Sequence, residues 1–123
     1  MHTEEAQQLL LDIIEQAQSG QGLEFQYIRS WSEFIYRRRQ LKSTKFLIRT
    51  LEISSKKLFK SYCKDVIAGI SDINKLLAYS QLRDVIAFYR QDLETLECML
   101  KDYDIYLIDG NFWQSFLGGE RVV

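Results

Sequence analysis

The chain has no proline, one histidine and two cysteines in 123 residues. Without proline, nothing in the sequence forces a break in a long helix. His2 lies at the amino terminus, so it cannot form a Ser-His-Asp or Cys-His arrangement on a rigid element. One terminal histidine and two distant cysteines also make a poor set of metal ligands. We therefore expect a protein that is not an enzyme and that uses no cofactor and no metal.

Long apolar runs are missing as well. No run approaches the roughly 18 residues needed to span a bilayer, and the chain begins with a polar, acidic segment. We therefore expect neither a transmembrane helix nor a signal peptide. Cys63 and Cys98 both fall within helical apolar patterns, which favours reduced core thiols over a disulfide. These features predict a cytoplasmic protein that makes no membrane contact.

What the sequence does have is apolar residues at helical spacing. The hydrophobic share of 46% argues against disorder, and the length suits one domain with its own core. An amphipathic stripe predicts a first helix from about Thr3 to Gln18, ended by Gly20 and Gly22. Its apolar members are Ala6, Leu9, Leu10, Ile13, Ile14 and Ala17.

The next predicted helix starts in an aromatic segment, at about Glu24. Leu23, Phe25 and Tyr27 alternate as in a strand, but a longer helical pattern overlaps them: Tyr27, Ile28, Trp31, Phe34 and Ile35. Another helix is predicted over 43–68, and whether the two are joined or bend near 40–43 stays open. Gly69 should end it, Ser71 should cap a short turn, and Ser80 is a candidate second cap or kink.

A heptad-like repeat dominates the last long helix. Its members are Leu82, Val85, Tyr89, Leu93, Leu96, Leu100 and Tyr103. A repeat of 3.5 residues sustained over three heptads predicts the seam of a bundle or an antiparallel coiled coil. The predicted core is Leu10, Ile13, Trp31, Ile35, Leu51, Leu58, Tyr62, Val85, Tyr89, Leu93, Leu96 and Leu100. The predicted fold class is therefore all-α, an antiparallel helical bundle of three to five helices.

The carboxyl-terminal segment 105–123 is expected to form a short appendage packed on a bundle made by residues 1–104. Asp109-Gly110 between apolar runs is a hairpin signal, whereas the next four large side chains have helical spacing. The helical interpretation is preferred. Those side chains are Phe112, Trp113, Phe116 and Leu117. They would either cap the bundle or provide an anchor for a partner or a second copy.

Charge is distributed unevenly along the chain. Residues 1–27 contain no lysine or arginine, and residues 65–123 contain ten acids against five bases. Between them lies a basic block, whose candidate binding residues are Arg37, Arg38, Arg39, Lys42, Lys45, Arg49, Lys56, Lys57, Lys60 and Lys64. On a continuous helix, seven of these would form a stripe about 39 Å long.

This basic face has three interpretations: a face that is solvated or paired within the chain, a site for an acidic protein surface, or a site for nucleic-acid phosphates. The aromatic side chains at 25–36 would add stacking on bases, although such a set is more often core. The overall pI of about 5.8 weighs against nucleic acid. We therefore expect a non-enzymatic adaptor, inhibitor or accessory subunit that forms homo-oligomers, with nucleic-acid binding as the alternative.

Overall fold

The computed structural model describes residues 2–108, and for residues 2, 3, 6, 7, 10 and 108 it describes the backbone alone. This range contains three α-helices and no strand: α1 (His2–Gln18), α2 (Trp31–Ile67) and α3 (Ile73–Ile108). Helices α2 and α3 pack against each other as in a bundle. The prediction of an all-α helical bundle is confirmed, and the number of helices falls at the lower end of the expected range.

Helix α2 begins seven residues later than predicted. Residues 21–29 have no regular structure, so the expected helix start near Glu24 is wrong. Ser30 provides the reason, because its hydroxyl accepts a hydrogen bond from the backbone N–H of Glu33 at 3.2 Å. The Glu33 carboxylate accepts in turn from the backbone N–H of Arg29 at 3.1 Å. This exchange closely resembles a capping box, which fixes the first turn of a helix.

Helix α2 then runs without interruption to Ile67, so the two helices predicted on either side of 40–43 are joined. Gly69 ends it as predicted, with a φ of +79°. The backbone N–H of Gly69 donates to Val66 at 3.0 Å, and that of Ile70 donates to Asp65 at 2.7 Å. This pair of bonds is the Schellman motif, which satisfies the last carbonyl groups of a helix.

Helix α3 is capped one residue later than predicted and does not break at Ser80. The Asp72 carboxylate accepts from the backbone N–H of Asn74 at 3.1 Å, so Asp72, rather than Ser71, is the capping residue. The helix is continuous from Ile73 to Ile108. Ser80 is exposed within it, so the expected second cap is wrong.

Residues of the chain form two compact units, which are described separately. The first comprises Met1–Gly22 and Leu47–Arg90. Its buried side chains are Ile48, Leu51, Ser55, Leu82, Val85, Ile86 and Tyr89. The Ser55 hydroxyl donates to the Glu52 carbonyl at 3.0 Å, so this buried polar group is satisfied. The Tyr89 hydroxyl donates to the Ile13 carbonyl at 3.3 Å and links α1 to α3.

The second unit comprises Leu23–Phe46 and Gln91–Val123. Ile28, Met99, Leu100 and Tyr103 form its buried cluster, and Phe34 packs against this cluster among other half-buried apolar side chains. The rings of Phe34 and Tyr103 stack with centroids 5.2 Å apart. The irregular segment before α2 therefore contributes to a core, because Ile28 is fully buried there.

The heptad seam of α3 is confirmed as the buried side of that helix. Six of its seven members are buried and Leu93 is half-buried. Of the other predicted core residues, Leu51 is buried and four are half-buried: Ile13, Ile35, Leu58 and Tyr62. Leu10 is among the residues described by backbone alone. Trp31 was wrongly placed in the core. It is 49% exposed and stacks on Phe34 at the start of α2, with centroids 5.1 Å apart.

The predicted boundary at residue 104 lies inside α3. Residues 105–108 continue that helix, and the rest of the predicted appendage, residues 109–123, lies outside the described residues. Whether that segment is helix or hairpin stays a prediction. Within the described part of the chain, no helix combines the length and the apolar character needed to cross a membrane.

Candidate functional site

All ten predicted binding residues lie in α2. In the first unit, the burial of Ile48 and Leu51 places one side of this helix in the core, and the opposite side faces solvent. Five of the cations belong to the second unit and five to the first. Nine of the ten side chains are exposed: Arg38, Arg39, Lys42, Lys45, Arg49, Lys56, Lys57, Lys60 and Lys64.

Arg37 differs from the other nine because it is half-buried. Its guanidinium donates from Nη1 to Gln40 Oε1 at 2.8 Å and lies 5.5 Å from the centre of the Tyr36 ring. Its Nε is buried without an acceptor among the described residues. The local contacts hold this side chain in one position, so Arg37 contributes less to an external surface than its neighbours in sequence.

The acids of α2 are all engaged by groups other than the exposed cations. Glu33 accepts from the backbone N–H of Arg29. Glu52 forms an ion pair with Arg90 of α3. Asp65 forms an ion pair with Lys75 of α3 at 2.5 Å. Helix α2 contains ten bases and these three acids, so none of its own carboxylates neutralises the nine exposed cations.

The ion pairs found among the described residues at Lys75 and Arg90 involve none of those nine cations. Asp12 of α1, for example, accepts a hydrogen bond from Gln8 Nε2 of the same helix at 3.0 Å. The structure therefore presents the basic side chains of α2 to solvent.

Two exposed isoleucines lie among these cations and were not singled out by the sequence. Ile53 is 49% exposed and Ile67 is 87% exposed. They are fourteen residues apart, with Lys60 midway between them, so the three side chains follow nearly one line along the helix. The signal that would have found them is this spacing of seven residues on the side opposite the buried Leu51.

Of the aromatic side chains at 25–36, one packs into the core and the others are exposed, Trp31 among them. Phe34 packs into the core, as described above. Phe25, Tyr27 and Tyr36 are exposed, and the Phe25 and Tyr27 rings meet edge to face with centroids 5.3 Å apart. An open hollow of about 480 Å³ is lined by Gln26, Tyr27, Arg29 and Glu33. Its lining has one cation and one acid, so charge does not favour an anionic occupant there.

The remaining candidates carry less weight. Phe112, Trp113, Phe116 and Leu117, the predicted interface residues, lie outside the described residues. Cys63 and Cys98 are both free thiols, and Cys98 is exposed rather than in the core, because it lies off the heptad seam of α3. Within residues 2–108, no three side chains of the His, Cys, Asp and Glu types are grouped so that they would hold a metal ion.

Comparison with known proteins adds no assignment. No protein-family model matches this sequence, and searches of curated proteins and of solved structures find no significant similarity. The exposed basic side of α2 therefore has to be interpreted from its own chemistry.

Proposed function

We propose that this chain is a non-enzymatic interaction protein, an adaptor, inhibitor or accessory subunit, whose helix α2 binds an acidic protein surface. One observation carries the proposal: nine cations of α2 are exposed and have no ion-pair partner within residues 2–108, while the three acids of the same helix are engaged elsewhere. Unpaired like charges on one helix repel each other by a few tenths of a kcal/mol per pair. A partner of opposite charge would relieve that repulsion.

A protein partner is preferred to nucleic acid because of the apolar side chains among the cations. Ile53 and Ile67 are exposed on the same side of α2 as Lys60, and phosphates offer them no apolar contact. The alternative, a nucleic-acid-binding accessory protein, is supported in the second unit. There Tyr36 and Arg39, three residues apart and therefore on neighbouring parts of the helix surface, are both exposed, a combination suited to stacking and phosphate binding.

Self-association and a cytoplasmic location belong to the same proposal. Exposed apolar side chains at the turn between α2 and α3, including Ile70, Ile73 and Leu77, would be covered in a homo-oligomer. The aromatic residues Phe112 and Trp113 would provide a further anchor. Two free cysteines and no disulfide in the described residues suit a reducing compartment.

The test is charge reversal on α2. We expect Lys56→Glu with Lys60→Glu to weaken binding to a polyglutamate peptide by about tenfold at low salt, because complementary charge drives this association. The matched control is Arg83→Glu with Lys101→Glu, which makes the same charge change at two exposed cations of α3. Fluorescence anisotropy gives the affinity of each variant.

Thermal melting of the same variants distinguishes a binding surface from a structural one. With no ion pair to lose, the double reversal on α2 should leave the melting temperature unchanged or slightly higher. A large loss of stability in that variant alone would argue for a structural role. Duplex DNA is the second probe. The alternative would be favoured if the chain binds DNA and the logarithm of its affinity falls linearly with the logarithm of the salt concentration, with a slope of about 0.9 for each phosphate contacted. Absence of binding to both probes would refute both functions.

A further inference from the structure

The exposed side of α2 in the first unit has two apolar residues at one of the two repeating positions that make a heptad seam. Ile53, Lys60 and Ile67 recur at intervals of seven residues, which places them along a line of about 21 Å. The buried seam of α2, which includes Leu51 and Ser55, faces the other way. One helix thus carries a buried side that is covered within the unit and an opposite side with apolar residues at regular positions.

Cations flank this line on both sides. At about 100° per residue, Lys56 lies to one side of it, and Lys57 and Lys64 lie to the other. All three side chains are exposed, and none forms an ion pair with a described residue. In coiled coils, the charges that flank the apolar line select a partner helix whose flanking charges have the opposite sign.

We propose that this face binds an acidic amphipathic helix of a partner protein. The apolar stripe of the partner covers Ile53 and Ile67, and carboxylates beside that stripe face Lys56, Lys57, Lys60 and Lys64. The inference rests on the function proposed above and names the chemistry of the partner. Lys60, in the middle of the line, fixes the register, because a charged residue at a seam position favours the pairing that places an acid opposite it.

The charges argue against the other occupants. A second copy docked face to face, parallel or antiparallel, would bring Lys60 against Lys60 and the flanking lysines near each other, which is unfavourable. A nucleic-acid backbone would satisfy the lysines but leave Ile67, which is 87% exposed, in water. An acidic amphipathic helix satisfies both kinds of side chain at once, which is a recognised mode of helix binding.

The test uses two synthetic peptides of the same composition, each of about three heptads. The patterned peptide has leucine at the first and fourth positions of every heptad and glutamate beside them. The scrambled peptide has the same residues without the repeat. We expect the patterned peptide to bind the full chain at least about tenfold more tightly, because burying one isoleucine already provides that factor. Its helicity should rise on binding, as seen by circular dichroism.

Replacement of the isoleucines tests the site itself. Ile53→Ala with Ile67→Ala should abolish the preference for the patterned peptide and leave a weak, salt-sensitive affinity for both peptides. Alanine favours a helix, so α2 should stay intact, and circular dichroism of the variant checks this. The matched control is Leu9→Ala with Leu11→Ala, which removes two exposed apolar side chains of α1, outside this face, and should retain the preference.

The outcomes separate this inference from the proposed function. Equal affinity of the wild-type chain for the two peptides would overturn the inference and leave a purely electrostatic acidic partner. Loss of the preference in the control variant as well would also overturn it, because the site would then not be this face. If neither peptide binds, the inference and the proposed function both fail. Tight binding to duplex DNA that is unaffected by the two alanines would replace this partner with nucleic acid.

Discussion

At the scale of single residues, one carboxylate ties the irregular segment before α2 to α3. Asp92 Oδ1 accepts a hydrogen bond from the backbone N–H of Leu23 at 2.8 Å, between residues 69 positions apart. Asp92 is half-buried. Removing the acceptor would leave a partly buried N–H group without a protein partner, which has a larger effect than the net strength of an average hydrogen bond.

We therefore expect Asp92→Ala to lower the free energy of unfolding by about 1–2 kcal/mol. Asp92→Asn should lower it less, because the amide oxygen can still accept from Leu23. Urea denaturation measures both, and Glu94→Ala, at an exposed position two residues away, is the control. Equal losses for the alanine and asparagine variants would show that the negative charge matters rather than the hydrogen bond.

The helix ends show what single residues reveal in advance. Gly69 was predicted as a terminator because its left-handed φ suits glycine, and the structure confirms it. The cap of α3 was placed at Ser71 instead of Asp72. Both residue types are good caps, so local preference does not choose between neighbours. The choice depends on the turn that must join α2 to α3, which is a tertiary constraint.

At the scale of elements, the heptad seam of α3 supplies most of the buried side chains. Leu96 is fully buried in the second unit. We expect Leu96→Ala to lower the free energy of unfolding by about 2–5 kcal/mol, through lost apolar burial and the cavity left behind.

The control for that variant is Cys98→Ala, which truncates an exposed side chain of the same helix and should change stability by less than about 0.5 kcal/mol. Denaturant midpoints and slopes give both values. A loss below about 1 kcal/mol for Leu96→Ala would mean that the seam is not the core of this unit.

The elements also show where pattern reading fails. The seam was predictable because seven residues follow its spacing, and a period repeated over that length does not arise by chance. The start of α2 could not be predicted from this pattern. Ile28 is a buried residue of the irregular segment, yet its position continues the helical spacing of Trp31 and Ile35. The better signal was local: serine followed three residues later by glutamate, at Ser30 and Glu33, predicts a capping box.

At the scale of the whole molecule, exposed apolar side chains remain around the turn between α2 and α3. Ile70, Ile73 and Leu77 are each more than half exposed. Because such side chains gain free energy when covered, we expect the chain to self-associate as its concentration rises. Sedimentation velocity at low and high concentration tests this.

Ile73→Ser with Leu77→Ser should shift that equilibrium towards monomer. Ile105→Ser, at a half-exposed apolar position of the other unit, is the control and should leave it unchanged. A wild-type chain that stays monomeric at the highest concentration would contradict the prediction of homo-oligomers. Equal effects of the two variants would contradict the assignment of the contact to the turn.

The candidate site illustrates the limit of the sequence at this scale. The position of the basic residues on one helix was predictable from their spacing and from the lack of proline. The sequence did not predict whether these basic side chains form ion pairs, because that depends on which side chains of α3 reach the acids of α2. The structure shows Lys75 and Arg90 in that role. These ion pairs depend on how α2 and α3 pack, so no local sequence pattern predicts them.

The same ion pairs have a consequence for kinetics. Because Glu52 and Asp65 are neutralised by cations of α3, they do not offset the exposed cations of α2, although the chain as a whole has a net charge of −1. The local field of exposed cations steers an oppositely charged molecule during its diffusional approach and raises the association rate more than the affinity. If α2 binds an acidic partner as proposed, the ion pairs between α2 and α3 would therefore also affect how fast the two associate.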